Sequence, residues 1–301
     1  MKKTIIVDEK NYYSRLDKFI RNSFPEVKLG SIFKIIRKGD VKINGKRVKK
    51  NDFIINIGDE ISIVFPQNED IIRPLIPSMK PRKVDFEIIF ENDDFLVINK
   101  PPKISMHPGS GEQMATVIEG LIYRADGKYE PHLVHRLDKL TSGVLLAAKN
   151  KQTTRELSEI IKSNSSEKYY KTLVYGVPKM KKAFIESVVD GKEAILEYET
   201  EKIFNTSLGR FSLVDINLIT GRKHQIRVQF SGKNLPVLGD DYYGDKEINK
   251  LFRKNFGLKR FFLHAYKMKF QFKDKKYTFT ADLYKDLSEV LKRLEFSESG
   301  D

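Results

Sequence analysis

Nine residues, HRLDKLTSG at 135–143, occupy a polar gap between apolar runs, Leu133 and Val134 before it and Val144, Leu145 and Leu146 after it. A carboxylate, Asp138, stands two residues from a guanidinium, Arg136. Thr141-Ser142-Gly143 supplies turn chemistry: short hydroxyls that bond the local backbone, then a glycine free to take positive φ. With strands expected at both ends, Asp138 rides on a tethered loop, a common place for a reactive side chain. Alternation along the leading strand would set Leu133 and His135 on one side, and Val134 and Arg136 on the other. Two readings follow from this stretch alone. It is a solvated turn with a local ion pair, or it holds a carboxylate in place to attack an electrophilic carbon.

The surrounding elements must position that loop. FEIIFENDDFLVINKP reads as a hairpin turning at Asn92-Asp93-Asp94, and LVHRLDKLTSGVLLAAK as strand, loop, strand. TTRELSEIIKS is a helix with Leu157, Ile160 and Ile161 on one face. KYYKTLVYG, AILEYETEKIF, FSLVDINLI and HQIRVQF read as strands, and KDLSEVLKRL closes the chain as a helix. Strands outnumber helices and do not alternate with them, so the expected class is α+β with a mixed, largely antiparallel central sheet.

Two composition breaks divide the chain. Residues 66–83 carry Pro66, Pro74, Pro77 and Pro81 without apolar periodicity, which predicts an extended linker. Ahead of it, Leu16, Phe19 and Ile20 mark a short amphipathic helix, and Leu29, Ile32, Phe33 and Ile36 a second, ending at Gly39. The polar face of the second helix carries Lys28, Lys34, Arg37 and Lys38. VKINGKRV then alternates around Asn44-Gly45, a type I′ hairpin signal, and INIGDEISIVF adds a strand. The expected division is a small α/β unit over 13–65, a linker over 66–83 and a larger domain over 84–296.

Lys plus Arg total 55 against 41 Asp plus Glu, a formal charge of +14 that attracts polyanions, nucleic acid first among them. The absence of cysteine removes disulfides, thiol catalysis and Cys-ligated zinc. The N-terminal apolar run is too short for a signal peptide, and no stretch is long enough to span a bilayer. The expectation is a cytoplasmic monomer with no membrane association. His132 and His135 would point to opposite faces of a strand, and His264 reads as a core residue, so no metal site is assigned.

Four stretches share one order: DDFLVINKPPKISMHP at 93–108, HRLDKLTSG at 135–143, KYYKTLVYG at 168–176 and TGRKHQIRVQF at 220–230, followed by GDDYYG at 239–244 and FLHA at 262–265. Together they resemble the RluA-type pseudouridine synthases, and the front unit resembles the S4 RNA-binding domain. The resemblance implies a pseudouridine synthase fold, a nucleophilic Asp138, a Tyr170 that packs against the target base and an Arg227 that pairs with Asp138. It also implies an Arg136 that holds or replaces the extruded base, with His135, Arg222, His224, Gln225 and His107 around the substrate and Lys28, Lys34, Arg37 and Lys38 on RNA. Lys223 and Gln229 depart from the pattern, standing where a small hydroxyl residue and a histidine are common. So does the segment after FLHA, which lacks a customary proline.

The chemistry suits these types. Breaking the N1–C1′ bond and joining C5 to C1′ needs an ionised carboxylate in a dry pocket, where burial raises its pKa and a nearby guanidinium opposes the rise. An aromatic ring can stack on the freed base, and the Tyr170 hydroxyl is a candidate for removing the C5 proton. The reaction is an isomerisation and calls for no cofactor and no metal. The implied partner is RNA: large-subunit ribosomal RNA first, tRNA second. A non-catalytic S4-type RNA-binding protein would have lost the aspartate, arginine or tyrosine, and all three are kept. A glycoside hydrolase would need a second carboxylate across the bond, which these stretches do not offer.

Overall fold

The computed structural model describes residues 2–9, 11–24, 27–66, 80–108, 114–163 and 165–298. Most of the expected linker lies outside them. The chain divides into two compact units, with the boundary between Met79 and Lys80. Among the described residues, no helix is long and apolar enough to cross a membrane.

The first unit holds β1 (Lys2–Ile6), α1 (Leu16–Ser23), α2 (Leu29–Lys38), β2 (Val41–Ile43), β3 (Lys46–Val48) and β4 (Glu60–Val64). Its strands form an antiparallel sheet in the order β1-β4-β2-β3. Asn44 and Gly45 both take positive φ in the β2–β3 turn, which the twist of a two-residue hairpin loop favours. Gly39 ends α2 in the left-handed region. The strand β1 was not foreseen, and it extends the unit ahead of residue 13. The buried face of α2 runs through Ile32, Ile35 and Ile36, whereas Phe33 and Leu29 are only half-buried. Lys34, Arg37 and Lys38 are exposed along the opposite side and Lys28 is half-buried at the N-cap.

The second unit begins with β5 (Glu87–Glu91), β6 (Phe95–Lys100), α3 (Val117–Ala125), β7 (His132–Leu133), β8 (Ser142–Ala148), α4 (Lys151–Lys162) and β9 (Ser166–Tyr175). It continues with β10 (Lys182–Val189), β11 (Lys192–Thr206), β12 (Gly209–Leu218), α5 (Gln225–Gly232), α6 (Lys246–Phe256), β13 (Leu263–Phe272), β14 (Lys275–Thr280) and α7 (Lys285–Glu298). The central path runs β10-β11-β12-β9-β13-β8-β6-β5, with β14 on β13 and β7 on β8. Among the described residues, every pairing of these strands is antiparallel except β13 with β8, so the sheet is mixed and largely antiparallel, as expected. Both faces of β6 and β8 are buried. Leu96, Ile98, Leu145 and Ala147 pack toward one core; Phe95, Val97, Val144 and Leu146 pack toward another.

Two local readings are corrected. HQIRVQF is not a strand: His224 takes a left-handed backbone, φ 54 and ψ 21, and the chain continues as the helix α5. Ile226 and Val228 favour a strand by propensity, but Ile226 and Phe230, at i and i+4, both enter the core, and packing decides. The strand before the Asp138 loop is also shorter than expected and stops at Leu133. The His135 imidazole explains this, because its Nε2 accepts the Leu146 amide at 3.0 Å, one residue beyond the last β7–β8 pair. The expected side-to-side alternation of Val134, His135 and Arg136 therefore does not apply, and all three line one cleft.

The parallel pairing of β13 with β8 falls where the loop rejoins the sheet, with Ser142 opposite His264 and Gly143 opposite Ala265. Gly143 has φ +117, and a Cβ there would sit 2.1 Å from the Ala265 carbonyl oxygen. Only glycine lets the two backbones approach so closely. Gly143→Ala should therefore lower the unfolding free energy by about 3 kcal/mol, combining overpacking with backbone strain. Urea denaturation measures this, and an unchanged midpoint would show that the strands can separate without cost.

Candidate active site

The loop carrying Asp138 is held from below by two buried cations. Lys100, at the end of β6, is fully buried, and its ammonium donates to the carbonyls of Pro101 at 2.8 Å, Lys139 at 3.3 Å and Thr141 at 2.8 Å. Arg260 donates from Nη1 to the Leu140 carbonyl at 2.8 Å and from Nη2 to Ser142 Oγ at 3.0 Å, while Asp286 receives its Nε and Nη2. Ser142 Oγ also lies 2.9 Å from His264 Nδ1, and His264 Nε2 lies 3.1 Å from the Ala281 carbonyl. A carbonyl only accepts, so Nε2 carries the imidazole proton and Nδ1 accepts from the serine. Burial, foremost, holds the His264 imidazole down at about 4. The core role read for His264 is thus a specific one, anchoring the loop.

Arg227 comes from α5 and is almost wholly buried. Its Nε and Nη2 make a two-pronged pair with Asp240, at 2.6 and 2.8 Å, and its Nη1 reaches Asp138 Oδ2 at 3.3 Å. Asp240 Oδ1 also accepts the backbone amides of Tyr242 and Tyr243. The guanidinium carbon lies 4.3 Å from the Phe261 ring centre and 5.0 Å from that of Tyr243, so rings as well as charges fix its plane. Burial acts against the charge on Asp240, yet Arg227 and the two amides hold its carboxyl below the usual range.

The expected pairing of Arg227 with Asp138 is present, but from a helix and shared with a second carboxylate. The Asp240 partner was missed; GDDYYG was noted only as fitting a pattern. Lys100 and Arg260 were also passed over, because nothing in the sequence around them shows which carbonyls they will meet.

A cleft of about 650 Å³ opens over Asp138, and Arg136, Lys168, Tyr170, Arg222, His224 and Arg227 are among its walls. Lys168 and Tyr170 share a face of β9. Burial, then the Asp138 carboxylate, pushes the Tyr170 hydroxyl well above the usual phenol range. It holds its proton at neutral pH, which argues against its taking the C5 proton. Burial likewise lowers Lys168. Arg136 is exposed at the mouth. His224 Nε2 lies 3.7 Å from Asp138 Oδ1, too long for a hydrogen bond, and its Nδ1 lies 3.1 Å from the Tyr243 hydroxyl. Burial, foremost, lowers the His224 imidazole; Arg227 and Lys223 add to this and Asp138 opposes it.

Other expected contacts turn out to serve the frame. Gln225 is buried: its Oε1 accepts from Thr220 Oγ1 and the Arg222 amide, and its Nε2 donates to the Ile195 carbonyl and Gln229 Oε1. Gln229 in turn donates to the carbonyls of Ile185 and Ala194 and to Ser187 Oγ. Arg222 spends its Nε on the Glu193 carbonyl. His135 is kept neutral by burial, at about 4, and serves as the Leu146 acceptor. His107 is exposed on its loop and does not line the cleft; desolvation and then Arg136 lower its imidazole.

Two measurements probe this frame. Arg227→Ala leaves Asp240 buried without its partner, and Asp240→Ala leaves the guanidinium half-paired, so each should cost about 3–5 kcal/mol in unfolding free energy. The double variant should cost clearly less than their sum, and additive losses would deny the coupling. Lys100 gives a pH test. Burial first, then Arg260, draws its ammonium from 10.5 to about 7, with Asp138 opposing. The unfolded chain then binds the extra proton between those two values, so this lysine's contribution to stability rises with pH across that window. The stability of the native chain minus that of Lys100→Met should climb between about 7 and 10.5, and a flat difference would mean an unperturbed lysine.

Comparison with known proteins agrees with this architecture. The model for RNA pseudouridylate synthases matches residues 94–232, and that for the S4 domain matches residues 14–61. The ribosomal large subunit pseudouridine synthase C of Salmonella typhimurium is 36% identical over 276 residues, covering 85% of this chain and 84% of that one. An uncharacterized RNA pseudouridine synthase of Aquifex aeolicus is 32% identical over 252 residues, 77% of each chain. Among solved structures, human RNA pseudouridylate synthase domain containing 4 superposes with a TM-score of 0.57 at 25% identity, covering 69% of this chain and 93% of that one. An S4 domain and a synthase domain in one chain, with this identity over most of its length, make it a member of the RNA pseudouridine synthase family, isomerases that act on RNA.

Proposed function

We propose that this chain isomerises uridine in large-subunit ribosomal RNA, with Asp138 as the nucleophile. The observation that carries the reading is the Asp138 carboxylate in the cleft, with Arg227 Nη1 at 3.3 Å and Tyr170 in the same wall. The choice of ribosomal RNA is supported by the names of relatives such as the Salmonella enzyme. The small unit over 13–65 serves as an RNA-binding module through Lys28, Lys34, Arg37 and Lys38, and the unit over 84–296 performs the chemistry, with 66–83 between them.

The substrate uridine leaves its helix, at a cost of a few kcal/mol of unstacking that phosphate contacts offset. Arg136, at the mouth, is placed to hold or replace it. The carboxylate bonds to the nucleotide at C1′ of the ribose or C6 of the base, and the N1–C1′ bond breaks. The base turns while it stays in the cleft against the Tyr170 ring, C5 closes on C1′, the bond to the carboxylate breaks and returns its electron pair to Asp138, and the proton leaving C5 balances the one gained at N1. Nothing is added or lost overall. Arg227 Nη1, 3.3 Å from Oδ2, fixes the direction of the Asp138 carboxylate. Asp240 positions Arg227, and Lys100 and Arg260 position the loop.

Carbodiimide-dependent primer extension, applied to RNA from cells lacking the protein, tests this directly. A site should disappear from large-subunit RNA, return with the native chain, and stay absent with Asp138→Ala and Asp138→Asn. Restoration by Asp138→Ala would remove the nucleophile assignment. A lost site in tRNA would refute the substrate assignment and leave the chemistry standing.

A further inference from the structure

A second concavity, about 590 Å³, adjoins the catalytic cleft. His224 and Lys223 line both. His224 is the partition, with Nε2 toward Asp138 and Nδ1 toward the Tyr243 hydroxyl. Beyond it, Tyr242 is 80% exposed and Val188 is 72% exposed, both in the wall of the concavity. We propose that this concavity, walled by Tyr242, Val188 and Lys223, is a subsite for one unstacked nucleobase of the substrate RNA, the neighbour of the uridine that enters the cleft.

Three observations select that occupant. The Tyr242 ring is presented at a set angle: it meets Tyr243 edge-on, at 4.5 Å between centres and 78° between planes. The amides of both tyrosines donate to Asp240 Oδ1, so the turn that carries the ring is pinned by the carboxylate that holds Arg227. A fixed, solvent-facing aromatic ring is a stacking platform, and a base is the flat partner that RNA supplies once a segment is unpaired. Asp190, at the turn between β10 and β11, also lines the concavity. A carboxylate there repels phosphate and accepts from the ring N–H or amino group of a base, so the backbone is left to Lys223 at the boundary of the two clefts. Finally, the concavity opens beside the catalytic cleft, so a base displaced together with the target has a place to go.

The inference rests on the reading of the chain as an RNA uridine isomerase, and the test separates the two. Total RNA from cells lacking the protein serves as substrate, so the target need not be known in advance. Pseudouridine formation at the restored site is followed against enzyme and RNA concentration for the full-length native chain, Tyr242→Ala and Tyr242→Phe. Tyr242→Ala should raise KM by about 5- to 100-fold, the effect of removing one base–aromatic stack, with kcat nearly unchanged. Tyr242→Phe should restore the native KM, because a stack needs the ring and not the hydroxyl. Thermal midpoints should coincide for all three, as expected for so exposed a side chain. If the native chain forms no pseudouridine, the synthase reading fails and this inference falls with it. If the native chain is active and Tyr242→Ala shares its KM, or Tyr242→Phe behaves like Tyr242→Ala, the subsite is wrong and the synthase reading stands.

Discussion

One guanidinium divided between two carboxylates organises this molecule. Arg227 is buried, and a buried charge without a partner costs several kcal/mol. Asp240 meets that demand with a two-pronged pair through Nε and Nη2, and the remaining nitrogen, Nη1, reaches Asp138. The orientation of the Asp138 carboxylate is therefore inherited from a pair made elsewhere. Helix α5, the turn after Leu238 and the Asp138 loop must all be in place before all three charges are paired.

The loop itself is held from the opposite side. Lys100 and Arg260 between them take the carbonyls of three consecutive residues, Lys139, Leu140 and Thr141, and Arg260 adds the Ser142 hydroxyl. Loop backbone that packs against a core must have its polar groups satisfied, and two cations with several donors each do this compactly. Arg227 sets a guanidinium against Asp138, and Lys100, below the loop, is near enough to feel the same carboxylate. The same turn that supplies Asp240 presents Tyr242 to solvent, so the frame of the site and its outer surface are built from one segment.

Much of this was legible from local pattern. The Asn44-Gly45 hairpin, the basic helix before it, the Asn92 turn and the long antiparallel strands follow from residue types that act over a few positions. Asp138, Arg227 and Tyr170 were singled out through the resemblance of their motifs to a known family, and the structure brings them to one cleft. The misses share a cause. HQIRVQF reads as a strand because Ile226 and Val228 suit one, whereas the positive φ of His224 and the entry of Phe230 into the core make it a helix. Gln225 reads as a substrate contact because it stands in the motif, but its amide is spent on Thr220, Arg222, Ile195 and Gln229.

The sequence by itself determined the chemistry on offer: an aspartate in a turn-bounded loop, arginines and a tyrosine in ordered motifs, and a charge that suits a polyanion. Those are properties of residue types and short spacings, and they hold whatever the distant parts of the chain do. Only the tertiary structure decided who pairs with whom. Arg227 meets a partner 13 residues away and another 89 residues away, and Lys100 meets carbonyls 39 and 41 residues away. Which buried charge faces which acceptor depends on how strands and helices pack, and no local preference of the chain encodes that.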